Sequence, residues 1–331
     1  MSTSMTFWFY RAYGLSFQTN RPLNQLGSLP DRPTCVDLCV WFTNTDHLAD
    51  IDWQLSPRFQ DQSSQDEDLP TDAFRWTILE SPDGEFTRFT FVDGVFFTVN
   101  QSGSQVWIYQ PSQTSFEYVV SSLMNSILGF CLRIKGHVCL HASGVMIDGC
   151  AVLFLGWSGA GKSTTAGTFA LRGHTVIADD VSVLDQNDGI FYVQPGYPHV
   201  RLWESSAEAL LGDASLLPHI APDWKKQYLD LQNDRFYFAE SPVPLGAIYL
   251  LKRGEDTISI DPMSPFKALW LLMNHTYLHY LFYKTAYARD FALLTTLVEH
   301  IPVRSITTAP GLDTLPDLYD NIIRDFRQRL G

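Results

Sequence analysis

Residues 151–163 read AVLFLGWSGAGKS. An apolar run, residues 151–155, stops at Gly156, and Trp157, Ser158, Gly159, Ala160, Gly161, Lys162, Ser163 and Thr164 follow. The spacing G-x-x-x-x-G-K-S is that of a phosphate-binding loop. Glycines let the backbone turn so that successive N–H groups face one concavity. Lys162 can then meet the β- and γ-phosphates as a point charge, and the Ser163 hydroxyl can join a Mg²⁺ shell. The flanks agree with this reading. A buried strand is expected before the loop and a helix, TTAGTFAL, after it, whose positive end adds to the site. Arg172-Gly173 closes that helix.

Working outward, residues 175–178 form a short apolar strand that ends in Asp179-Asp180. An acidic pair so soon after the loop sits where a metal and an attacking group are held. One carboxylate can act through the metal and the other can accept a proton from a hydroxyl nucleophile. Upstream, residues 138–146 read as a strand, turn at Asp148-Gly149 and return as residues 150–155. The turn sets His141 near the nucleotide end of the sheet. A lone strand histidine is as often packed as functional, and both readings stay open. Downstream, Asp188-Gly189 joins residues 181–184 to residues 189–193 as a hairpin. Arg201 then lies in the apolar segment PGYPHVRLW, where it either pairs with a carboxylate or reaches a phosphate.

The remainder is less specific. Residues 5–18 read as strand, turn and strand about Gly14, and residues 35–42 as a strand. Residues 74–109 suggest a small antiparallel meander with turns at Asp93-Gly94 and Ser102-Gly103. The segment 56–73, with Asp61, Asp66, Glu67, Asp68 and Asp72, reads as a solvated loop. Residues 116–134 carry Val119, Val120, Leu123, Met124, Ile127 and Leu128 at helical spacing. Residues 204–237 look helical and loop-like, with Trp224, Lys225, Lys226, Asp230 and Arg235 exposed or facing phosphate. A strand is expected over 245–253, one or two long helices over 265–300, a last strand near 304–306 and a terminal helix over 315–330. His275 and His279 have metal spacing in form only, because no glutamate completes the pattern and the surroundings are aromatic. This divides the chain into a β-rich domain, residues 1–112, and a P-loop domain, residues 113–331.

Composition excludes some classes. The chain has 331 residues, with 23 Lys and Arg against 36 Asp and Glu, a formal charge of -13. Such a field argues against binding a nucleic-acid backbone but not against a nucleotide, whose charge a loop and a metal neutralise locally. No stretch is apolar for long enough to suggest a membrane span, and no signal peptide is visible. Five cysteines without a C-x-x-C pair suggest reduced thiols and a cytoplasmic setting.

Taken together, LHASGV (140–145), GWSGAGKSTTAG (156–167), RGHTVIADDVSVL (172–184) and PGYPHVRLW (195–203) resemble the C-terminal domain of the HPr serine kinase/phosphorylase family. They look closer to its relatives that phosphorylate the C-terminal serine of lasso-peptide precursors. The resemblance covers roughly residues 115–310. It implies an α/β fold with a P-loop kinase core of the HPr kinase/phosphoenolpyruvate carboxykinase-like type. It implies ATP and Mg²⁺ as cofactors, with residues 156–164 holding the nucleotide and Ser163 and Asp180 the metal. Asp179, Asp180, His141, Lys162 and Arg201 would be catalytic: Asp179 as the proton acceptor, Asp180 organising the metal, His141 and Arg201 assisting with developing charge. The expected partner is a peptide or protein hydroxyl, with a sugar or other small metabolite, or an ATP-regulated partner-binding role, as alternatives. Family relatives are often oligomeric, so the resemblance allows an oligomer.

Two departures bear on direction. The bifunctional relatives carry an acidic residue directly after the P-loop serine, where this chain has Thr164. Their C-terminal signature is also absent. Forward transfer from ATP is therefore expected, without useful phosphorolysis.

Overall fold

The computed structural model describes residues 6–57, 76–91, 93–220, 225–254 and 257–330. The acidic stretch 58–73 and Trp224 lie outside the described residues. The chain divides into two compact units: Met1–Gly136 with Tyr280–Tyr283, and His137–His279 with Lys284–Gly331.

The first unit is built on an eight-stranded sheet in the order β1-β2-β3-β8-β7-β6-β5-β4. Its strands are β1 (Trp8–Ala12), β2 (Leu15–Thr19), β3 (Leu38–Thr43), β4 (Gln54–Leu55), β5 (Trp76–Glu80), β6 (Phe86–Phe91), β7 (Phe96–Asn100) and β8 (Gln105–Tyr109). Strands β5 to β8 form the expected antiparallel meander. The sheet is nevertheless mixed, because β3 runs parallel to both β2 and β8. The helical segment is three pieces, α1 (Phe116–Ser122), a π-turn (Leu123–Ile127) and α2 (Leu128–Ile134). All six of its periodic apolar residues are buried, and Phe130 meets Phe89 of β6 edge-on. This segment thus belongs to the first unit, and the division falls after Gly136, not at residue 112.

The second unit is a mixed α/β layer structure. Its sheet runs β17-β12-β10-β11-β18-β14-β13-β9, with β20 beside β18 and β19 beside β20. The strands are β9 (Val138–Leu140), β10 (Ser143–Ile147), β11 (Cys150–Leu155), β12 (Thr175–Ala178), β13 (Ser182–Asn187), β14 (Ile190–Val193), β17 (Tyr237–Phe238), β18 (Val243–Arg253), β19 (Ser259–Pro262) and β20 (Val303–Thr308). Alternation along β11 sends Val152 and Phe154 to one face, Ala151, Leu153 and Leu155 to the other. The first face packs α3 (Lys162–Leu171) and the terminal helix (Leu315–Leu330) through Phe169, Ile322 and Phe326. The second packs the helices Pro265–Asn274 and His279–His300 through Ala268, Leu271, Leu294 and Leu297.

Topology then collects the chemistry. Strand β10 lies between β11 and β12 and is antiparallel to both. The C-terminal ends of β11 and β12 and the start of β10 therefore share one sheet edge. The glycine-rich loop, Asp179-Asp180, and His141 with Ser143 all emerge there.

Two sequence expectations need correcting. Residues 138–146 are two strands, not one. The chain breaks at His141 and Ala142, so that β9 pairs with β13 while β10 pairs with β11 and β12. Of the one or two helices expected over residues 265–300, the chain forms two, separated where Leu278 takes a left-handed φ of 52°. Among its described residues, the segment 204–237 holds one α-helix, Glu204–Leu211, and contains a strand, β16 (Lys226–Asp230), paired antiparallel with β15 (His199–Trp203). That ribbon has one buried face, where Val200, Leu202 and Leu229 join Ala170, Val176 and Ala207 in a third apolar cluster. No described helix is long and apolar enough to cross a membrane.

Candidate functional site

The loop begins at Gly156, where the backbone has φ 154° and a Cβ would stand 2.7 Å from the Ala160 Cβ and 2.9 Å from the Leu251 carbonyl oxygen. Only glycine fits that approach. The Ala160 N–H donates to the Trp157 carbonyl, closing a turn, and Arg253 donates from Nη2 to the Gly159 carbonyl at 2.7 Å. Gly161 precedes α3 with φ 96°. Among the described residues, the N–H groups of Ser158, Gly159, Gly161, Lys162 and Ser163 have no acceptor. They are the orphan donors of a helix start and its approach, where an anion is stabilised.

Lys162 is buried, and its Nζ donates to the Gly156 carbonyl at 2.8 Å and more weakly to that of Trp157. Burial lowers its pKa, opposed by the charges of Asp180 and Asp179. Thr164 behaves differently from its neighbours. Its hydroxyl is buried against Ser206 at 2.9 Å, on the side of α3 that packs on helix Glu204–Leu211. Only its backbone is left for a ligand in the loop. Trp157 is 62% exposed, and its ring lies tilted against that of the buried His275, with the centroids 4.8 Å apart. His275 donates from Nδ1–H to the Leu271 carbonyl at 2.9 Å, and its own carbonyl accepts from the His141 N–H.

The two aspartates have different environments. Asp179 is 3% exposed. Its Oδ1 accepts from the Ser143 hydroxyl at 2.5 Å and its Oδ2 from the Arg201 backbone N–H at 2.9 Å. It ties β10, β12 and β15 together and faces no open space. Asp180 follows in the left-handed region, φ 71°, which turns its carboxylate out of the sheet edge. Its side chain is 21% exposed, with Oδ1 3.1 Å from His141 Nε2, while the Arg201 guanidinium bonds to Oδ2. Burial works to raise the Asp180 pKa. Arg201, His141 and Lys226 override it, holding the carboxyl well below the usual range.

His141 is the most open member, its side chain 41% exposed, with Tyr277 edge-on to its ring. With Asp180 ionised, Nε2 is the ring nitrogen that donates to it, and Nδ1 makes no hydrogen bond among the described residues. The geometry thus joins His141, Lys162, Asp179, Asp180 and Arg201 at one edge, but it gives Asp179 an anchoring environment. Ser143 and Lys226 are members to which the sequence analysis gave no catalytic or binding role of their own. Ser143 was only part of the LHASGV stretch. Lys226 was one of several cations in a segment read as irregular.

For a divalent ion, no group of three His, Cys, Asp or Glu ligands exists among the described residues. Ser163 and Asp180 can still suit Mg²⁺, which is commonly held by one or two protein oxygens together with substrate phosphates. Each Asp180 oxygen takes one donor and keeps a lone pair.

No protein-family profile matches the chain, and no curated protein matches it. A solved structure, the Hpr(Ser) kinase/phosphatase from Coxiella burnetii, shows a weak and partial likeness. It covers 58% of this chain and 97% of the other, with 14% identity and a TM-score of 0.33.

Proposed function

We propose that the chain is an ATP-dependent phosphotransferase acting on a hydroxyl, a serine in a peptide or protein, with a ribosomally made precursor peptide as the acceptor class. The observation that carries this reading is the shared edge: a glycine-rich loop with free amides and a buried lysine, beside His141-Asp180-Arg201. Residues 156–163 and the backbone of Thr164 would hold the phosphates, with Lys162 at the β/γ end. Ser163 and Asp180 would hold Mg²⁺, which neutralises phosphate charge when bound.

In the transfer, the acceptor oxygen bonds to the γ-phosphorus, and the bond to the bridging oxygen breaks. Its electron pair leaves with ADP. The acceptor proton goes to His141 Nδ1. Asp180 is too well stabilised as an anion to be a strong base, and it orients the imidazole instead. Asp179 is a positioning residue. The β-rich sheet within residues 1–112 is assigned to acceptor recognition, and the unit of residues 137–279 and 284–331 to catalysis. Five cysteines, all free, fit a reducing, cytoplasmic compartment.

The test is incubation with γ-labelled ATP, Mg²⁺ and candidate precursor peptides. Label should pass to a serine, and both Lys162→Ala and His141→Ala should lower the rate by about 10²-fold or more. Nucleotide binding without transfer to any hydroxyl would instead favour an ATP-regulated binding module.

A further inference from the structure

The ribbon β15–β16 brings a third cation to the site. Residues alternate across it, so the face opposite the apolar cluster carries His199, Arg201 and Trp203 on one strand and Lys226, Tyr228 and Asp230 on the other. Arg201 stands opposite Tyr228, and Lys226 stands opposite Trp203, one pleat further along the same face. Arg201 is committed twice, through its N–H to Asp179 and its guanidinium to Asp180. The ribbon is thereby held against the acidic pair. The Lys226 stem is half-buried and its Nζ lies 4.8 Å from the centre of the Trp203 ring. Among the described residues, Lys226 has no carboxylate in ion-pair contact.

We propose that Lys226 binds the terminal phosphate of ATP from the side opposite Lys162, and that it is the residue by which the site distinguishes ATP from ADP. The inference rests on the phosphotransferase reading above. Three cations, Lys162, Arg201 and Lys226, meet two carboxylates at this edge, and Arg201 is already neutralising Asp180. A partly desolvated ammonium without a counter-ion is costly unless an anion arrives. The terminal phosphate is the anion that the proposed reaction brings. Lys226 lies one pleat along the ribbon from Arg201, which bonds to Asp180, whereas Lys162 is held by the loop carbonyls. Its charge is the less stable for this company: burial first, then Arg201, lower its pKa to about 8, against the pull of Asp180 and Asp179. A fixed cation aimed at the transferring group also stabilises charge that spreads over it in transfer.

Calorimetric titration of the full chain with Mg²⁺ and either ADP or an imido-linked, non-hydrolysable ATP analogue tests this. In Lys226→Met the analogue should bind at least tenfold more weakly, while ADP affinity should change less than threefold. Lys226→Arg should recover most of the loss. A merely structural lysine would move both ligands together. Equal weakening of ADP and analogue, or no change in either, overturns the inference while leaving the phosphotransferase reading intact. Failure of the unsubstituted chain to bind both ligands overturns that reading, and the inference with it. Circular dichroism and the unfolding midpoint of each variant check folding, and Lys226→Gln serves if Lys226→Met is impaired.

Discussion

Ser143 shows how a residue given no role by the sequence alone governs the site. Its hydroxyl is fully buried and gives Asp179 one of its two hydrogen bonds. Bonds to a charged group contribute roughly 1.5–3 kcal/mol, and leaving a buried carboxylate short of a donor costs about as much. Ser143→Ala should therefore lower unfolding free energy by about 2 kcal/mol in urea titration. Phosphotransfer should fall along with it, because Asp179 also holds the Arg201 backbone. Full stability in the variant would mean that water replaces the hydroxyl. Two buried histidines set the acid limit. Desolvation holds both His199 and His275 at a pKa of about 4, against an unfolded value of 6.5. The unfolded chain thus binds more protons between these values, and stability falls as pH falls from 6.5 toward 4. Each ring contributes at most about 1.4 kcal/mol per pH unit in that window. Urea titrations at several pH values should show this slope, reduced in His275→Gln. A flat profile would show that the rings are already hydrated in the fold.

At the scale of elements, the loop and its flanking strand and helix were fully legible, because glycine spacing and apolar periodicity point the same way. Gly156 is the position where that geometry is least forgiving. Gly156→Ala puts a methyl against the Leu251 carbonyl, which belongs to β18 and cannot retreat cheaply. The expected result is a loss of about 1–3 kcal/mol in unfolding free energy. Nucleotide binding should drop by more than stability alone explains, since the amides from Ser158 onward would be displaced. Calorimetry and denaturation on the same sample separate the two effects. Two other elements were less legible. The break at His141 follows from β9 and β10 pairing with different strands, a long-range fact that local propensity does not carry. Strand β16 was hidden because Gln227, a polar residue, is one of its inward positions. Its amide is satisfied by the Ala214 and Leu217 carbonyls, so it sits inside without breaking the alternation physically. With the strand unseen, Lys226 stayed one of several residues read as exposed or facing phosphate.

Across the whole molecule, the apolar patterns foretold the sheets and helices, whereas the division into units was not where composition changes. Helix residues 116–134 look like the start of the second unit by sequence order, yet their buried stripe packs with the first. Net charge is the molecular property with a direct functional consequence. A chain of formal charge -13 surrounds a candidate site that carries three cations and two carboxylates. At long range an approaching acceptor meets the negative field, and only within the site does it meet the local positive one. A peptide with basic residues flanking its serine should associate faster than one with acidic flanks. The Debye length shrinks from about 10 Å at 0.1 M salt to about 3 Å at 1 M, so the preference should fade with ionic strength. Transfer rates to paired lysine-flanked and glutamate-flanked serine peptides, compared at low and high salt, check this. The lysine-flanked peptide should have the lower KM at low salt, with the two converging as salt rises and kcat little changed. An acidic preference, or a difference indifferent to salt, would show that side-chain contacts and not the field of the whole chain select the acceptor.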